Sequence, residues 1–111
     1  MQNHPLILAV DDDEKTLKVL KDGLSGEGFD VITATNGLGA LAFLEEYEPD
    51  LILLDIMMPD LDGFRVLEII REGSDIPVIM LTAKVGGTFV KQAVDIGADN
   101  YVTKPFRIHI L

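Results

Sequence analysis

The chain has 111 residues, 19 acidic against 9 basic for a net charge of −10, and 48% of it is hydrophobic. That size suits a single domain with its own buried core, and the acidic balance argues against direct contact with nucleic acid. The absence of cysteine excludes disulfides and thiolate metal sites. No apolar run approaches the roughly 20 residues of a membrane span, and the opening Met1-Gln2-Asn3-His4-Pro5 is not a signal peptide, so a cytoplasmic location without a membrane partner is expected.

Apolar runs and amphipathic stretches alternate five times. The first run, Leu6 to Val10, ends in Asp11-Asp12-Asp13, and a helix follows with Leu17, Leu20 and Leu24 on one side, stopping near Gly26 and Gly28. Val31 to Ala34 is the second strand, after which Asn36 is the expected cap of a helix bearing Leu38, Leu41 and Leu44, closed by Pro49. Leu51 to Leu54 is apolar throughout, as a strand covered on both faces must be, and Asp55 ends it. A loop with Pro59 and Gly63 leads to a helix with Phe64, Leu67 and Ile70 on one side. The fourth strand is Val78 to Leu81, closing at Thr82. After Gly86-Gly87 a short helix is expected, capped by Thr88, with Phe89, Val90, Ala93 and Val94 inward. Tyr101 to Thr103 is the fifth strand and runs into Lys104-Pro105-Phe106.

This alternation predicts right-handed βαβ crossovers and an α/β fold with a five-stranded parallel sheet between two helical layers; the arrangement taken for it is the flavodoxin-like, doubly wound one with strand order 2-1-3-4-5. Residues 1–111 read as one domain that stops before a fifth helix could form, so that helix is expected to be missing or truncated and the chain to be a fragment of a longer protein. Such an end should leave apolar surface uncovered near the fifth strand.

Ligands of such sheets bind beyond the carboxyl ends of the strands. If the strand order is 2-1-3-4-5, Asp11, Asp12, Asp55, Thr82 and Lys104 converge there on one small patch. Crowded carboxylates repel one another unless a cation joins them, and Mg²⁺ prefers this all-oxygen donor set. With the ion bound, a site that would repel phosphate can receive it. An Asp carboxylate can act as a covalent nucleophile; Lys104 would neutralise one phosphoryl oxygen and Thr82 would donate to another.

Four segments then carry a family resemblance: Asp11-Asp12-Asp13; the stretch from Asp55 through Met57, Met58 and Pro59 to Asp62-Gly63; Leu81-Thr82-Ala83; and Tyr101 through Thr103 to Lys104-Pro105-Phe106. In this order and spacing the chain resembles the receiver domains of two-component response regulators. The resemblance implies that Asp55 accepts a phosphoryl group from a partner sensor histidine kinase. Asp12 would bind Mg²⁺ with Asp11 assisting, and Asp55 and the Met57 carbonyl would complete the protein ligands. Thr82 and Tyr101 would be the switch pair, the Lys104–Pro105 bond would be cis, and the fourth-helix and fifth-strand face would change its partners, a second copy of the chain among them. An output domain would lie beyond residue 111. Met57 and Lys84 resemble positions that tune the phosphoryl lifetime.

Each of these residues also has a plainer use. Asp11 and Asp12 could cap the first helix, although Asp13 or Glu14 would suffice for that. Asp60 and Asp62 are expected to shape the turn before Gly63, and His4 and His109 to be exposed rather than metal ligands. Two rival functions remain. A small Mg²⁺-dependent aspartyl phosphatase of the haloacid dehalogenase type would want an acid where Met57 stands. A flavodoxin-like flavin carrier would want Ser, Thr and Gly where the three aspartates stand. The family's usual run of charges after Thr82 is replaced by Lys84-Val85-Gly86-Gly87-Thr88, which puts charge-paired dimer contacts in doubt.

Overall fold

Five short strands form one parallel sheet in the computed structural model, which describes residues 4–59 and 61–107. The strands are β1 (Leu6–Val10), β2 (Asp30–Ala34), β3 (Leu51–Leu54), β4 (Val78–Thr82) and β5 (Asn100–Thr103), hydrogen-bonded in the order β2-β1-β3-β4-β5. Four helices connect them among the described residues: α1 (Glu14–Gly26), α2 (Gly37–Glu46), α3 (Gly63–Arg71) and α4 (Gly87–Ile96). The fold class is the one expected from the pattern, and the strand order is the one taken for the flavodoxin-like arrangement.

Period-2 alternation sorts the sheet residues between two cores. Ile7 and Ala9 of β1 face α1 with Leu53, Leu81 and the helix residues Leu17, Leu20 and Leu24. Leu8 and Val10 face the opposite way, with Ile52, Leu54, Met80 and the buried residues Ala40, Val66, Leu67 and Ala93 of the other three helices. On the α1 face, Ile79, Val102 and Phe106 toward the β5 edge are only half-buried.

Helix ends follow side-chain chemistry, with one correction. Asp13 caps α1, accepting from the Lys15 amide at 3.0 Å, and Asn36 caps α2, accepting from the Gly39 amide at 2.7 Å. Asp62 caps α3 through the Arg65 amide at 2.9 Å. Thr88, however, is not a cap: Gly86, two residues earlier, holds the cap position with no side-chain cap hydrogen bond, and α4 starts at Gly87. The buried face also differs from the expected one. Ala93 is buried and Phe89 half-buried, while Val90 and Val94 point to solvent. Leu38 is likewise exposed, because Gly37 and Ala40 occupy the inner face of α2.

Arg71 ties the end of α3 to the end of α4. Its guanidinium donates to the Gly97 carbonyl (2.9 Å), the Ser74 carbonyl (3.2 Å) and the Asp99 carboxylate (3.0 Å), and that carboxylate also accepts from the Val78 amide (2.8 Å). Gly97, at φ 124°, provides the left-handed residue that ends α4.

Candidate functional site

The parallel ladders extend one residue past the strands and so set the positions of the polar side chains. The Asp11 amide donates to the Ala34 carbonyl (3.1 Å), the Asp55 amide to the Val10 carbonyl (3.0 Å) and the Lys104 amide to the Thr82 carbonyl (2.9 Å). Each side chain is held at the carboxyl end of the sheet by backbone bonds on rigid strands, so little freedom separates the three.

The Lys104 ammonium lies between two carboxylates, 2.6 Å from Asp11 Oδ2 and 3.3 Å from Asp55 Oδ2. Asp11 and Asp55 are buried, and Asp12 beside them is exposed. Each of the three offers a carboxylate oxygen within 4.8 Å of the others. The second oxygen of Asp11 accepts the Asp13 amide at 2.9 Å, and the Met57 amide approaches Asp55 Oδ1 at 3.4 Å.

Electrostatics follow from this packing. Burial pushes the Asp11 carboxyl above its usual range and the neighbouring Asp55 charge adds to that, against the hydrogen bonds from Lys104 and the Asp13 amide. Burial alone would lower the Lys104 ammonium, but its hydrogen bonds to Asp11 and Asp55 and their charges outweigh it and the net shift is upward. Lys104 is thus a fixed cation at the mouth of an anionic recess.

All oxygens and no imidazole or thiolate, the triad suits a hard divalent ion such as Mg²⁺. One face of it, formed by Asp12, is open to solvent, where an ion could retain waters. The donor chemistry fits, with Asp11, Asp12 and Asp55 as the side chains that would hold the ion.

Thr82 is fully buried at the end of β4, and its hydroxyl accepts from the Lys84 amide at 3.3 Å. Tyr101, half-buried on β5, donates its hydroxyl to the Lys84 carbonyl at 2.7 Å. Burial, with the Asp55 charge adding, raises the tyrosine's pKa and keeps it a donor. Thr82 and Tyr101 therefore engage the same residue, Lys84, one by its amide and the other by its carbonyl. The Lys84 ammonium in turn stands 5.7 Å from the centre of the Phe89 ring at the start of α4. The Lys104–Pro105 bond is cis.

Met57 is 55% exposed and lies outside the two buried cores. Exposed His4 lies 2.8 Å from the Gly28 carbonyl by its ring nitrogen, away from the acidic recess. Asp60 and His109 lie outside the described residues. Reading the sequence missed the Arg71 clamp, the capping role of Asp62 and the approach of Gly63 to the backbone of Asp55, whose carbonyl oxygen lies 2.1 Å from where a Cβ on Gly63 would stand. Of these, only the Asp62 cap had a local signal, an Asp three residues before a backbone donor at the start of an apolar-periodic stretch.

A doubly wound sheet whose strand ends converge on three carboxylates and a lysine is the arrangement that the resemblance to receiver domains implies. Comparison with known proteins agrees: residues 7–111 match the response regulator receiver domain family, and the chain belongs to that family. It is 44% identical over 101 residues to the transcriptional regulatory protein KdpE of Mycobacterium tuberculosis, covering 91% of this chain and 45% of that one. Similarity to the DNA-binding response regulator MtrA of Mycolicibacterium smegmatis is alike, at 44% identity, 91% and 44% coverage. The chain thus spans less than half the length of these curated relatives. Among solved structures, the receiver domain of the Francisella response regulator 1452 superposes with a TM-score of 0.92 at 35% identity, covering 96% of this chain and 89% of that one. Chemotaxis protein CheY4 of Vibrio cholerae does so at 0.91 and 29% identity, covering 96% and 92%. No helix among the described residues is long and apolar enough to cross a membrane.

Proposed function

We propose that the chain is a cytoplasmic phosphorylation switch that takes a phosphoryl group onto Asp55 from the phosphohistidine of a sensor kinase. The observation that supports this most is the sharing of one ammonium, that of Lys104, by Asp11 and Asp55 at the carboxyl ends of neighbouring strands.

Asp55 Oδ attacks phosphorus, a P–O bond forms as the P–N bond breaks, and the electron pair of that bond returns to the imidazole. Mg²⁺, when bound, neutralises charge on the transferring group and the attacking carboxylate. Asp11 and Asp12 would hold the ion together with Asp55, and the resemblance to receiver domains adds the Met57 carbonyl. Lys104 moves from its carboxylate partners toward a phosphoryl oxygen, which carries the charge it loses. Thr82 exchanges the Lys84 amide for another phosphoryl oxygen, and the loop held by Tyr101 and Lys84 moves with it.

The result is a population shift at the α4 and β5 face, where Val85, Val90 and Val94 are exposed. Moving such an equilibrium from 1:99 to 99:1 takes about 5.5 kcal/mol of differential stabilisation. That face is the one through which two copies of the chain would pair. The relatives, more than twice the matched length, support an output domain beyond residue 111. Contact with DNA would belong to that domain, given the acidic surface here.

Incubation with Mg²⁺ and acetyl phosphate tests the reading by intact-protein mass. One added phosphate that EDTA prevents and Asp55→Asn abolishes is the expected outcome. Sustained hydrolysis of an external phosphomonoester, without a phosphorylated protein, would favour the phosphatase instead.

A further inference from the structure

The loop from Asp55 to α3 closes back on its own starting point. The Gly63 amide donates to the Ile56 carbonyl at 2.8 Å, and the Asp62 carboxylate caps the helix that begins there. Gly63 is buried, and a Cβ built on it would stand 2.1 Å from the Asp55 carbonyl oxygen and 2.8 Å from both the Asp55 carbonyl carbon and the Ile56 Cα. Every one of these obstacles is backbone, so no side-chain rotation relieves the overlap. The glycine is required for close approach and for nothing in its own conformation, since its φ is not among the positive ones.

We infer that Gly63 is a positioning residue for phosphoryl acceptance: by lacking a side chain it lets the first turn of α3 rest on the Asp55–Ile56 peptide and sets the direction of the Asp55 carboxylate. This rests on the phosphoacceptor reading above. The peptide it holds down begins at Asp55 and ends one residue before Met57, so one displacement moves both the attacking carboxylate and the residue whose carbonyl is assigned to the metal. Displacement of reacting groups by about 1 Å can cost about a hundredfold in rate, and disturbing the support of metal ligands costs about ten- to a hundredfold in affinity.

Gly37 is a built-in control. A Cβ there would also be crowded, 2.6 Å from Val66 Cγ2, 3.0 Å from the Leu61 carbonyl oxygen and 3.2 Å from Leu61 Cβ, and none of these three nearest atoms belongs to Asp55 or Ile56. Gly37→Ala should lower stability through packing and leave the acidic recess in place.

The experiment compares wild type, Gly63→Ala and Gly37→Ala. Melting temperature, Mg²⁺ titration by ¹H–¹⁵N shifts of the residue 11–13 and 56–57 amides, and phosphorylation by acetyl phosphate are recorded for each. Wild type that takes no phosphate refutes the phosphoacceptor reading itself, before Gly63 is at issue. With wild type active, Gly63→Ala is expected to bind Mg²⁺ about tenfold or more weakly. It should also phosphorylate about a hundredfold more slowly. Gly37→Ala should stay within about twofold of wild type in both once corrected for its folded fraction. Gly63→Ala within twofold of wild type overturns the inference, as does Gly37→Ala matching its losses. Should Gly63→Ala be unfolded, the titrations are repeated in TMAO, which favours the compact state. Failure to fold there too overturns it, because Gly63 would then be a folding residue only.

Discussion

Lys104→Met removes the one cation that separates two buried carboxylates, and the geometry sets the size of the effect. At an effective dielectric constant of about 20, unit charges at the 2.6 and 3.3 Å ammonium–carboxylate distances attract by roughly 6 and 5 kcal/mol, and two carboxylates within 4.8 Å of each other repel by roughly 3.5 kcal/mol or more. Desolvation offsets much of the attraction, and removing one partner of a buried pair typically costs about 3–5 kcal/mol. Lys104 is a fifth exposed, so the lower end, about 3 kcal/mol, is expected for the metal-free protein. At about 4 °C per kcal/mol for a domain of this size, that is a fall of about 12 °C in melting temperature. Mg²⁺ should behave oppositely. Methionine no longer competes with the ion for Asp11 and Asp55, so the variant should bind Mg²⁺ at least about tenfold more tightly and recover much of its stability by linkage. Phosphoryl acceptance should nevertheless fall, because no cation meets the incoming group. Urea denaturation in EDTA and in Mg²⁺, near neutral pH, measures both effects. Equal stability of the two proteins in EDTA, together with unchanged Mg²⁺ affinity, would refute the claim that one ammonium serves both carboxylates.

Three further outcomes follow from the same coordinates. Asn36→Ala loses the cap of α2 and should cost about 1 kcal/mol, read as a lower urea midpoint with unchanged slope. The Asp13 carboxyl is held below its usual range by the Thr16 hydroxyl and the Lys15 amide. Its contribution is therefore present above the unfolded pKa of about 3.9 and lost as pH falls through the lower folded value. Asparagine caps as well but does not titrate, so Asp13→Asn should lose less stability than wild type on acidification through that window; parallel acid limbs in urea titrations would count against this. Tyr101→Phe loses the bond to the Lys84 carbonyl, worth about 1 kcal/mol, and should speed amide exchange across residues 83–87 several-fold while leaving Mg²⁺ affinity unchanged.

Much of the fold was legible because it depends on periodic burial. The apolar β3 run and the Leu17, Leu20 and Leu24 stripe each mark their element, and the alternation of elements points to a parallel sheet between helical layers. The strand ends were legible for the same reason: Asp11, Asp55 and Lys104 follow directly on strands and Thr82 ends one, and the family resemblance supplied the order that brings them together. Short weakly patterned segments were not. Around α4, two glycines precede Thr88; Gly86 holds the cap position two residues before the expected one, and Val90 and Val94 face outward. The Arg71 clamp joins groups 26 and 28 residues away, and Gly63 matters through an atom it lacks. Neither leaves a local pattern, since each is created by tertiary approach.

The most direct measurement locates the phosphoryl group chemically. After phosphorylation in Mg²⁺, borohydride reduces an acyl phosphate to the corresponding alcohol, and peptide mass spectrometry then identifies the converted residue. Homoserine at position 55, and at no other aspartate, is the predicted result. Conversion at Asp11 or Asp12, or none at all in protein that has gained a phosphate, would contradict it.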